Sequence, residues 1–453
     1  MTGMRWSRVP WCVGRAFVVT RAAFLRRSPV PPAPARHAFR HREGVGRRSL
    51  AVSRLVLTWT LPLLAALGGV QVARADTDVL RIGIITDMSG QYSEGNGEGS
   101  VAAAQIAVED FGPTVLGKRI EIISADHQNK PDIASTIVRN WIDTKGVDVV
   151  AEGVNSAVAL AVQAVTRERN KIFLISGAGS SDLTGKSCSP TSVQWTYDTY
   201  ASSNSTAKAL VARGARSWYF LTADYAFGHA LERDAARAVE AAGGKIVGKV
   251  RHPFSNPDFS SFLLQAQSSP AQVIALANAG SDFANAIKQA HEFGLSQSDK
   301  IMAALQVTLT DSASLGLEVV QGALFTDSFY WDRTPETRAY AERFYARRKA
   351  MPTAYQAGVT SALTHYLKAV QAAGTTDSAA VMAKMRETPV NDFFAQGGKV
   401  RLDGRMVHDM YLMRFKKPSQ SKGKWDLYEL VATVPGDEAF RPLNEGGCPY
   451  VRN

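Results

Sequence analysis

The sequence has 453 residues, 45% of them hydrophobic, and a formal net charge of +11. The charge is concentrated at one end, because residues 1–75 contain 13 Arg and one Glu, which leaves residues 76–453 at about −1. A nucleic-acid-binding protein carries its basic residues in the folded domain. The composition therefore argues against that class, and we expect no nucleic-acid partner. About 378 residues remain after the basic segment. This number exceeds the usual size of a domain with a single hydrophobic core, so we predict two domains.

The basic segment has the three parts of a secretory signal. Arg47, Arg48 and Arg54 precede an apolar run at residues 55–72, which ends in a small-x-small site at residues 73–75. We predict an N-terminal extension and signal peptide over residues 1–75, cleavage after Ala75, and export. A transmembrane anchor is the alternative interpretation, and the choice between general and twin-arginine export stays open.

Two cysteines follow the predicted cleavage site. Cys12 is lost with the signal segment, while Cys188 and Cys448 form an even pair in a chain predicted to be exported. We predict a disulfide between them. The alternative is two unrelated thiols.

Strand and helix patterns alternate along the rest of the chain. The first series predicts the following elements: strand 80–86, helix 99–110, strand 119–125, helix 131–144, strand 147–151, helix 157–169 and strand 171–176. The second series predicts these: helix 203–213, strand 217–222, helix 230–242, strand 245–250, helix 259–268, strand 272–277, helix 282–293 and strand 300–304. This βαβ alternation predicts an α/β protein with two doubly wound lobes, each built on a parallel sheet with helices on both faces.

The tail that follows mixes its elements. The predicted set is strand 322–329, helices 336–348, 355–373 and 377–387, and a polar, hairpin-like stretch at 398–415. Because this tail follows two complete series, we expect both lobes to share it.

The segment 171–185 (KIFLISGAGSSDLTG) joins an apolar strand to a loop of small residues. In open α/β sheets, ligands bind at the carboxyl ends of such strands, so we predict a small-solute contact loop. The phosphate-binding P-loop pattern fails here, because Ser180 stands where its first Gly should be and Gly179 comes one residue early. An ordinary strand-to-loop turn is the remaining alternative.

The chain resembles the periplasmic solute-binding proteins of the branched-chain amino acid ABC transporter type, which have a type I periplasmic binding fold. The matching segments are residues 82–90 (IGIITDMSG), 175–178 (ISGA) and 224–228 (DYAFG), and residues 195–200 (WTYDTY) look closer to a subgroup that binds aromatic and other carboxylic acids. The resemblance implies a periplasmic receptor that delivers a solute to ABC permease subunits in the inner membrane. It further implies two lobes, three crossings near Tyr200, Tyr330 and Arg405, and a cleft that closes by a hinge.

From this resemblance we expect one lobe to comprise residues 76–198 and 331–404, and the other residues 199–330 and 405–453. We expect a monomer, no cofactor, no metal and no enzymatic activity. Asp126 and His127 could be read as a metal or acid–base pair, but no second His or Cys lies near them in sequence. A ligand-sensing protein of the same fold is an alternative to the transport receptor.

Carried over by motif, the ligand contacts fall on loops after the strands. The candidates are Tyr92, Asn155, Ser156, Ala178, Gly179 and Ser180 in the first lobe, Tyr225, Phe227, Asn278 and Ala279 in the second, and the aromatic residues Trp195 and Tyr197. Hydroxyls and successive backbone amides suit a carboxylate, and aromatic rings suit an apolar body. A helix N-cap is the alternative role of Asn155 and Ser156, and core packing that of Tyr225 and Phe227.

The nature of the solute is expected to depend on one loop. Amino-acid-binding members of the family hold the ligand ammonium with an acidic side chain at a position that falls on Leu305, and neither Leu305 nor Gln306 carries charge. We therefore expect a carboxylic acid without an α-ammonium, with an aromatic or otherwise apolar body. The alternative is a branched-chain or other apolar amino acid, because a shift of a few residues would bring Asp311 into that role.

Overall fold

The computed structural model describes residues 78–295 and 298–451. The predicted signal segment, its cleavage site and Cys12 lie outside the described residues. Most predicted strands and helices are present with ends that differ by a few residues. Among the residues that are described, no helix is long and apolar enough to cross a membrane.

The first sheet has six strands in the order β2-β3-β1-β4-β5-β6, parallel except for the β2–β3 pair. Its strands are β1 (Val79–Thr86), β2 (Thr114–Val115), β3 (Lys118–Asp126), β4 (Val147–Glu152), β5 (Ile172–Ile175) and β6 (Ser192–Gln194). The helices between them are α1 (Gly97–Phe111), α2 (Pro131–Lys145) and α3 (Ser156–Glu168). Helix α2 begins with a proline in its first turn and ends at Gly146 in the left-handed region, as its sequence predicts.

Alternation along the central strands gives this sheet two apolar faces. On β1, Ile82 and Ile84 join the core cluster that contains α1, whereas Ile85 joins the cluster that contains α2 and α3. Successive side chains of a strand point to opposite faces, so a strand covered on both faces has to be apolar at nearly every position. The long apolar runs in the sequence have this origin.

The second sheet has four parallel strands in the order β10-β9-β7-β8. The elements of this series are α4 (Thr199–Ala212), β7 (Ser217–Ala223), α5 (Ala226–Ala241), β8 (Lys245–His252), α6 (Ser260–Ser268), β9 (Val273–Ala277), α7 (Ser281–Glu292) and β10 (Ile301–Ala304). The two parallel-sheet lobes confirm the predicted fold class.

The tail serves both lobes. Its elements are α8 (Leu309–Leu315), α9 (Leu317–Val320), β11 (Leu324–Asp327), α10 (Pro335–Arg348), α11 (Ala354–Ala373), α12 (Ser378–Glu387), β12 (Val390–Asn391), β13 (Gln396–Val400), β14 (Met406–Val407), β15 (Met410–Phe415), β16 (Tyr428–Val434) and α13 (Gly436–Ala439). Helix α11 packs in the same core as α1, while β11 and β15 share a core with the second sheet. The stretch 398–415 is not one hairpin, because β13 pairs with β12 and β14, whereas β15 pairs with β11 and β16.

Two distant stretches of the chain run side by side. Gln194 N donates to Gly404 O at 2.8 Å, and Arg405 Nη1 donates to Tyr197 O at 2.8 Å. His408 Nε2 lies 2.6 Å from Thr196 O. The stretches around Tyr197 and Arg405 therefore follow neighbouring paths.

The predicted disulfide is confirmed. Cys188 and Cys448 are bonded, with their Cα atoms 5.6 Å apart and a sequence separation of 260. The bond ties the C-terminal tail to the loop that follows β5. Arg441 Nη2 supports the same contact by donating to Ser181 O at 3.1 Å.

Candidate functional site

A narrow cavity lies where the carboxyl ends of strands from both sheets meet. It is bordered by loops after β1, β4, β5 and β6 on one side and after β7, β9 and β10 on the other, which is where open α/β sheets bind ligands. The lining residues are Gln91, Tyr92, Gly95, Asn96, Val154, Asn155, Ser156, Gly177, Ala178, Gly179, Tyr197, Tyr225, Phe227, Ala279, Gly280, Thr308, Asp311 and Tyr355.

The N-terminus of helix α3 forms one wall. Asn155 caps this helix, because its side-chain oxygen accepts hydrogen bonds from the backbone amides of Ala157 at 3.0 Å and Val158 at 3.3 Å. Its φ of 74° is one that Asn tolerates better than most residues. The predicted capping alternative for Asn155 is therefore present, and the same residue still lines the cavity. A helix N-terminus beside Ser156 gives this wall a positive potential suited to an anion.

The loop after β5 completes that wall. Ala178 and Gly179 face the cavity, and Ser180 N donates to Ser156 Oγ at 3.0 Å. Gln194 Nε2 donates to the carbonyls of Ala178 and Ser180 at 3.0 and 3.2 Å, which fixes the loop from behind. The predicted contact loop therefore has the position that a small-solute site requires.

Aromatic residues form the rest of the wall. The rings of Tyr197 and Tyr355 stack with centroids 5.3 Å apart, and the hydroxyls of Tyr92 and Tyr225 hydrogen bond to each other across the cavity. Burial raises the pKa of Tyr92 and of Tyr225 well above the usual value, so both phenols stay neutral at physiological pH. Phe227 lines the cavity and also belongs to the buried core.

One carboxyl group, that of Asp311, borders the cavity. Asp311 Oδ2 accepts from Thr308 N at 3.2 Å, while Asp311 N donates to Thr308 Oγ1 at 3.1 Å, so the two residues form the capping box of α8. Burial raises the pKa of Asp311 to about 6. Asp311 forms no ion pair with any Lys, Arg or His that the structure describes.

Leu305, by contrast, is fully buried in the core and does not line the cavity. Gln306 supports the wall from behind, because it accepts from Ser202 Oγ and its Nε2 donates to Tyr355 Oη, both at 2.8 Å. The acidic group of this loop therefore reaches the cavity from Asp311 and not from the position inferred by motif.

Nine of the twelve predicted ligand contacts line the cavity: Tyr92, Asn155, Ser156, Ala178, Gly179, Tyr197, Tyr225, Phe227 and Ala279. Three do not. Ser180 is fully buried and caps a short 3-10 turn, and Trp195 is buried with its Nε1 donating to Ser361 Oγ at 3.0 Å. Asn278 is buried beside His252 Nε2, at 3.2 Å. Ser180 and Asn278 each adjoin a residue that lines the cavity, and Trp195 lies two positions before one. The fold turns all three side chains into the core instead.

The residues missed by motif are Gln91, Gly95, Asn96, Val154, Gly177, Gly280, Thr308, Asp311 and Tyr355. Several of these residues adjoin a predicted one in sequence, so including more residues after each strand would have identified them. The Thr308–Asp311 capping pattern was readable as a helix start. Tyr355 begins a helix far along the chain, and no local signal links it to this site.

Asp126 and His127 have structural roles. Asp126 accepts from Ser89 Oγ at 2.6 Å and from Gln128 N at 2.8 Å. His127 is buried, and burial lowers its pKa to about 4, while its Nδ1 accepts from Asn129 N at 3.0 Å. Within residues 78–295 and 298–451, no group of three or more His, Cys, Asp and Glu is arranged to hold a metal ion.

A cavity enclosed by loops of two lobes is typical of a protein that binds a small molecule. The sequence model of the family described as "periplasmic binding protein" matches residues 79–424, and the chain belongs to this family. The family and the structural neighbours are solute-binding receptors, which agrees with the prediction of a receptor and not an enzyme.

Solved structures resemble the whole described fold. A periplasmic binding protein from Burkholderia mallei is 50% identical, covers 83% of this chain and 100% of its own, and superposes with a TM-score of 0.81. A branched chain amino acid ABC transporter periplasmic ligand-binding protein from Burkholderia xenovorans is 41% identical, covers 82% and 99%, and gives a TM-score of 0.75. The Leu/Ile/Val-binding protein homolog 6 of Brucella abortus is 25% identical over 199 residues, which is 44% of this chain and 50% of that relative. The chain therefore spans about half the length of the curated relatives it matches.

Proposed function

We propose that this protein is a periplasmic receptor that captures a small carboxylate between its lobes and delivers it to an ABC importer. The observation that carries the proposal is the cavity itself. Helix amides and hydroxyl groups border it on one side and aromatic rings on the other. The name of the 41% identical relative, an ABC transporter ligand-binding protein, supports the same role.

The carboxylate of the solute would lie against the wall formed by Asn155, Ser156, Ala178 and Gly179. Helix N-terminal amides and a serine hydroxyl can stabilise an anion without a formal counter-charge. The apolar body of the solute would contact Tyr197, Phe227 and Tyr355. Rigid aromatic side chains lose little entropy on binding and offer large contact areas.

Asp311 supports one of the two solute classes. The expectation of no α-ammonium depends on the uncharged Leu305 and Gln306, whereas Asp311, the alternative residue for that role, lines the cavity. A pKa of about 6 leaves this carboxyl mostly ionised at pH 7. An ionised carboxylate would attract an ammonium and repel a plain anion. We therefore propose an α-amino acid with a branched or aromatic side chain as the first candidate.

A carboxylic acid without an ammonium is the second candidate, and a specific observation favours it. One oxygen of Asp311 is already used by the capping box with Thr308. Since burial raises the pKa of this carboxyl, an anionic solute could bind with Asp311 in its neutral form. Affinity for such a solute would then rise as the pH falls below about 6.

Calorimetry at pH 7.5 with leucine, phenylalanine, isovalerate and 4-hydroxybenzoate separates these candidates. We expect leucine or phenylalanine to bind, and Asp311→Asn to weaken that binding by at least about 100-fold, because an ammonium loses its charged partner. The asparagine still accepts the hydrogen bond from Thr308 N, so α8 keeps its cap. Asp299→Asn, at an exposed position away from the cavity, is the matched control and should leave affinity unchanged.

Binding of the plain acids alone, strengthened by Asp311→Asn, would establish the second candidate. Failure of all four compounds to bind at millimolar concentration would contradict the proposed solute class.

A further inference from the structure

A second carboxyl group stands directly behind the cavity wall. Glu152 ends β4, its side chain is fully buried, and its φ of 85° is unusual for a residue other than glycine. Glu152 Oε2 accepts from Val154 N at 3.0 Å, and Glu152 O accepts from Ser176 N at 3.2 Å. A strained backbone conformation of this kind persists only where the surrounding contacts hold it in place, and such residues often occur at binding sites.

Glu152 accepts hydrogen bonds from two residues that line the cavity. Its Oε2 fixes the amide of Val154, and its carbonyl accepts from Gly177 N at 3.4 Å. A Cβ on Gly177 would come within 2.9 Å of both Glu152 Oε1 and Asn96 Oδ1. Because Gly177 has no Cβ, the backbone of the cavity wall can pack directly against the side chains of Glu152 and Asn96.

Three buried oxygens in this group lack a hydrogen-bond partner among the described residues. They are Glu152 Oε1, Asn96 Oδ1 and Thr86 Oγ1. The threonine hydroxyl can donate one proton to the carboxyl group. An amide oxygen can only accept, so Asn96 Oδ1 needs a second donor, and a proton on Glu152 would supply it. Asn96 is otherwise fixed, because its Nδ2 donates to Tyr92 O at 3.2 Å.

We propose that Glu152 is a positioning residue held as a neutral carboxylic acid, whose proton bridges to Asn96 Oδ1 and braces the carboxylate-binding wall. The neutral form satisfies both side chains. It also places no negative charge behind Gly177, where a charge would repel the carboxylate of the solute. The role of this brace in binding rests on the proposed function.

The surrounding groups agree with a neutral Glu152. The titratable groups that face it are Asp87 after β1 and Tyr197 after β6, with His127 beyond Asp87. Asp87 accepts hydrogen bonds from the amides of Gly90 and Tyr92 and from Asn129 Nδ2. No Lys or Arg of the described residues forms an ion pair with Glu152. Burial, with a contribution from Asp87, raises the pKa of Glu152 to about 8.

The pH dependence follows from this raised pKa. The folded chain binds the Glu152 proton more tightly than the unfolded chain does, so the stabilisation is fully present below the ordinary glutamate pKa and is lost as the pH rises through about 8. Ionisation of Glu152 should weaken carboxylate binding over the same upper range. Above its pKa, the affinity should fall by up to about tenfold per pH unit.

The decisive variant is Glu152→Gln, because its amide still donates to Asn96 Oδ1 but does not titrate in this range. Infrared difference spectroscopy of the wild-type protein against Glu152→Gln should show the carbonyl stretch of a protonated carboxyl group at pH 7 and its loss at pH 10. The exposed Glu318→Gln is the control and should show no such band. Absence of the band at pH 7 would overturn the proposal. Specific stabilisation of the wild-type protein by a sodium ion bound at Glu152 would also overturn it, because the carboxyl group would then be ionised.

Calorimetry with leucine at pH 7 and pH 9 adds the functional measurement. We expect the wild-type affinity to fall by about tenfold more than that of Glu152→Gln, and the variant corrects for titration of the leucine amine. Equal falls in both proteins would overturn the proposed brace. If leucine binds neither protein, the proposed solute is wrong, and the infrared band still decides the state of Glu152. If Glu152→Gln does not fold, the midpoint of the loss of the wild-type band makes that decision, because a midpoint near pH 8 distinguishes Glu152 from Asp327, whose pKa burial raises to about 7.

Discussion

Gly179 shows how closely single residues shape the cavity. A Cβ on this glycine would come within 2.7 Å of Tyr197 Oη and collide with the tyrosine ring. Tyr197 is itself fixed from three directions, because its hydroxyl donates to Gly177 O at 3.3 Å, its ring stacks on Tyr355, and its carbonyl accepts from Arg405. The ring therefore has little room to move aside.

We expect Gly179→Ala to weaken solute binding by at least about tenfold and to reduce the free energy of unfolding by about 1–3 kcal/mol, because overpacking forces the wall to shift. Gly423→Ala is the matched control, since a Cβ there meets no atom within 4 Å. Calorimetry with a bound solute and urea denaturation measure the two effects. An unchanged affinity in Gly179→Ala would contradict this prediction, because it would show that the cavity wall accommodates the methyl group without weakening solute binding.

At the scale of elements, the C-terminal tail is held by the disulfide and by polar contacts. Arg401 Nη1 donates to Arg441 O at 2.8 Å, while Arg441 donates to Ser181 O. Ser181 belongs to the loop that continues from Ala178 and Gly179. The tail therefore braces the solute-contact loop from the side away from the cavity.

Removal of the disulfide by Cys188→Ser with Cys448→Ser should destabilise the protein by about 2–5 kcal/mol, because the bond closes a loop of 260 residues in the unfolded chain. Urea denaturation of the purified protein with and without reductant measures this difference. The double variant is its own control, since reductant should not affect it. Equal stability of the oxidised and reduced wild-type protein would show that the polar contacts alone fix the tail.

At the scale of the whole molecule, contacts cross the cavity directly. Besides the Tyr92–Tyr225 hydroxyl pair, Ser281 Oγ donates to Gln91 Oε1 at 3.0 Å. These contacts would break if the lobes separated, while the neighbouring stretches around Tyr197 and Arg405 could stay paired. We propose that the lobes, residues 76–198 with 331–404 and residues 199–330 with 405–453, open and close about these stretches.

Small-angle scattering should therefore show a smaller radius of gyration when the solute identified by calorimetry is saturating. Tyr92→Phe should bind the solute several-fold more weakly, because the closed form loses a cross-cavity hydrogen bond worth about 1 kcal/mol. Tyr345→Phe, a change on the exposed face of α10, is the control. A radius that does not change at saturation would contradict hinge closure.

The sequence by itself determined most of the local structure. Apolar runs such as the one in β9 predicted buried parallel strands, and the pattern of residues 131–144 predicted helix α2. The disulfide followed from the two cysteines that remain after the predicted signal segment. Nine cavity residues were carried over from the family resemblance, whose motifs lie after strands, and in a parallel sheet the carboxyl ends of the strands meet at one edge.

The tertiary structure alone decided which neighbouring side chains face the cavity. Trp195 and Tyr197 have similar sequence surroundings, yet one packs in the core and the other lines the site. Asp311 and Tyr355 reach the site from parts of the chain distant from the first-lobe loops, while Glu152, two residues before Val154, lies behind the wall. A charged or polar side chain acquires its role from the dielectric and the partners around it, and these are set by contacts that no local pattern encodes.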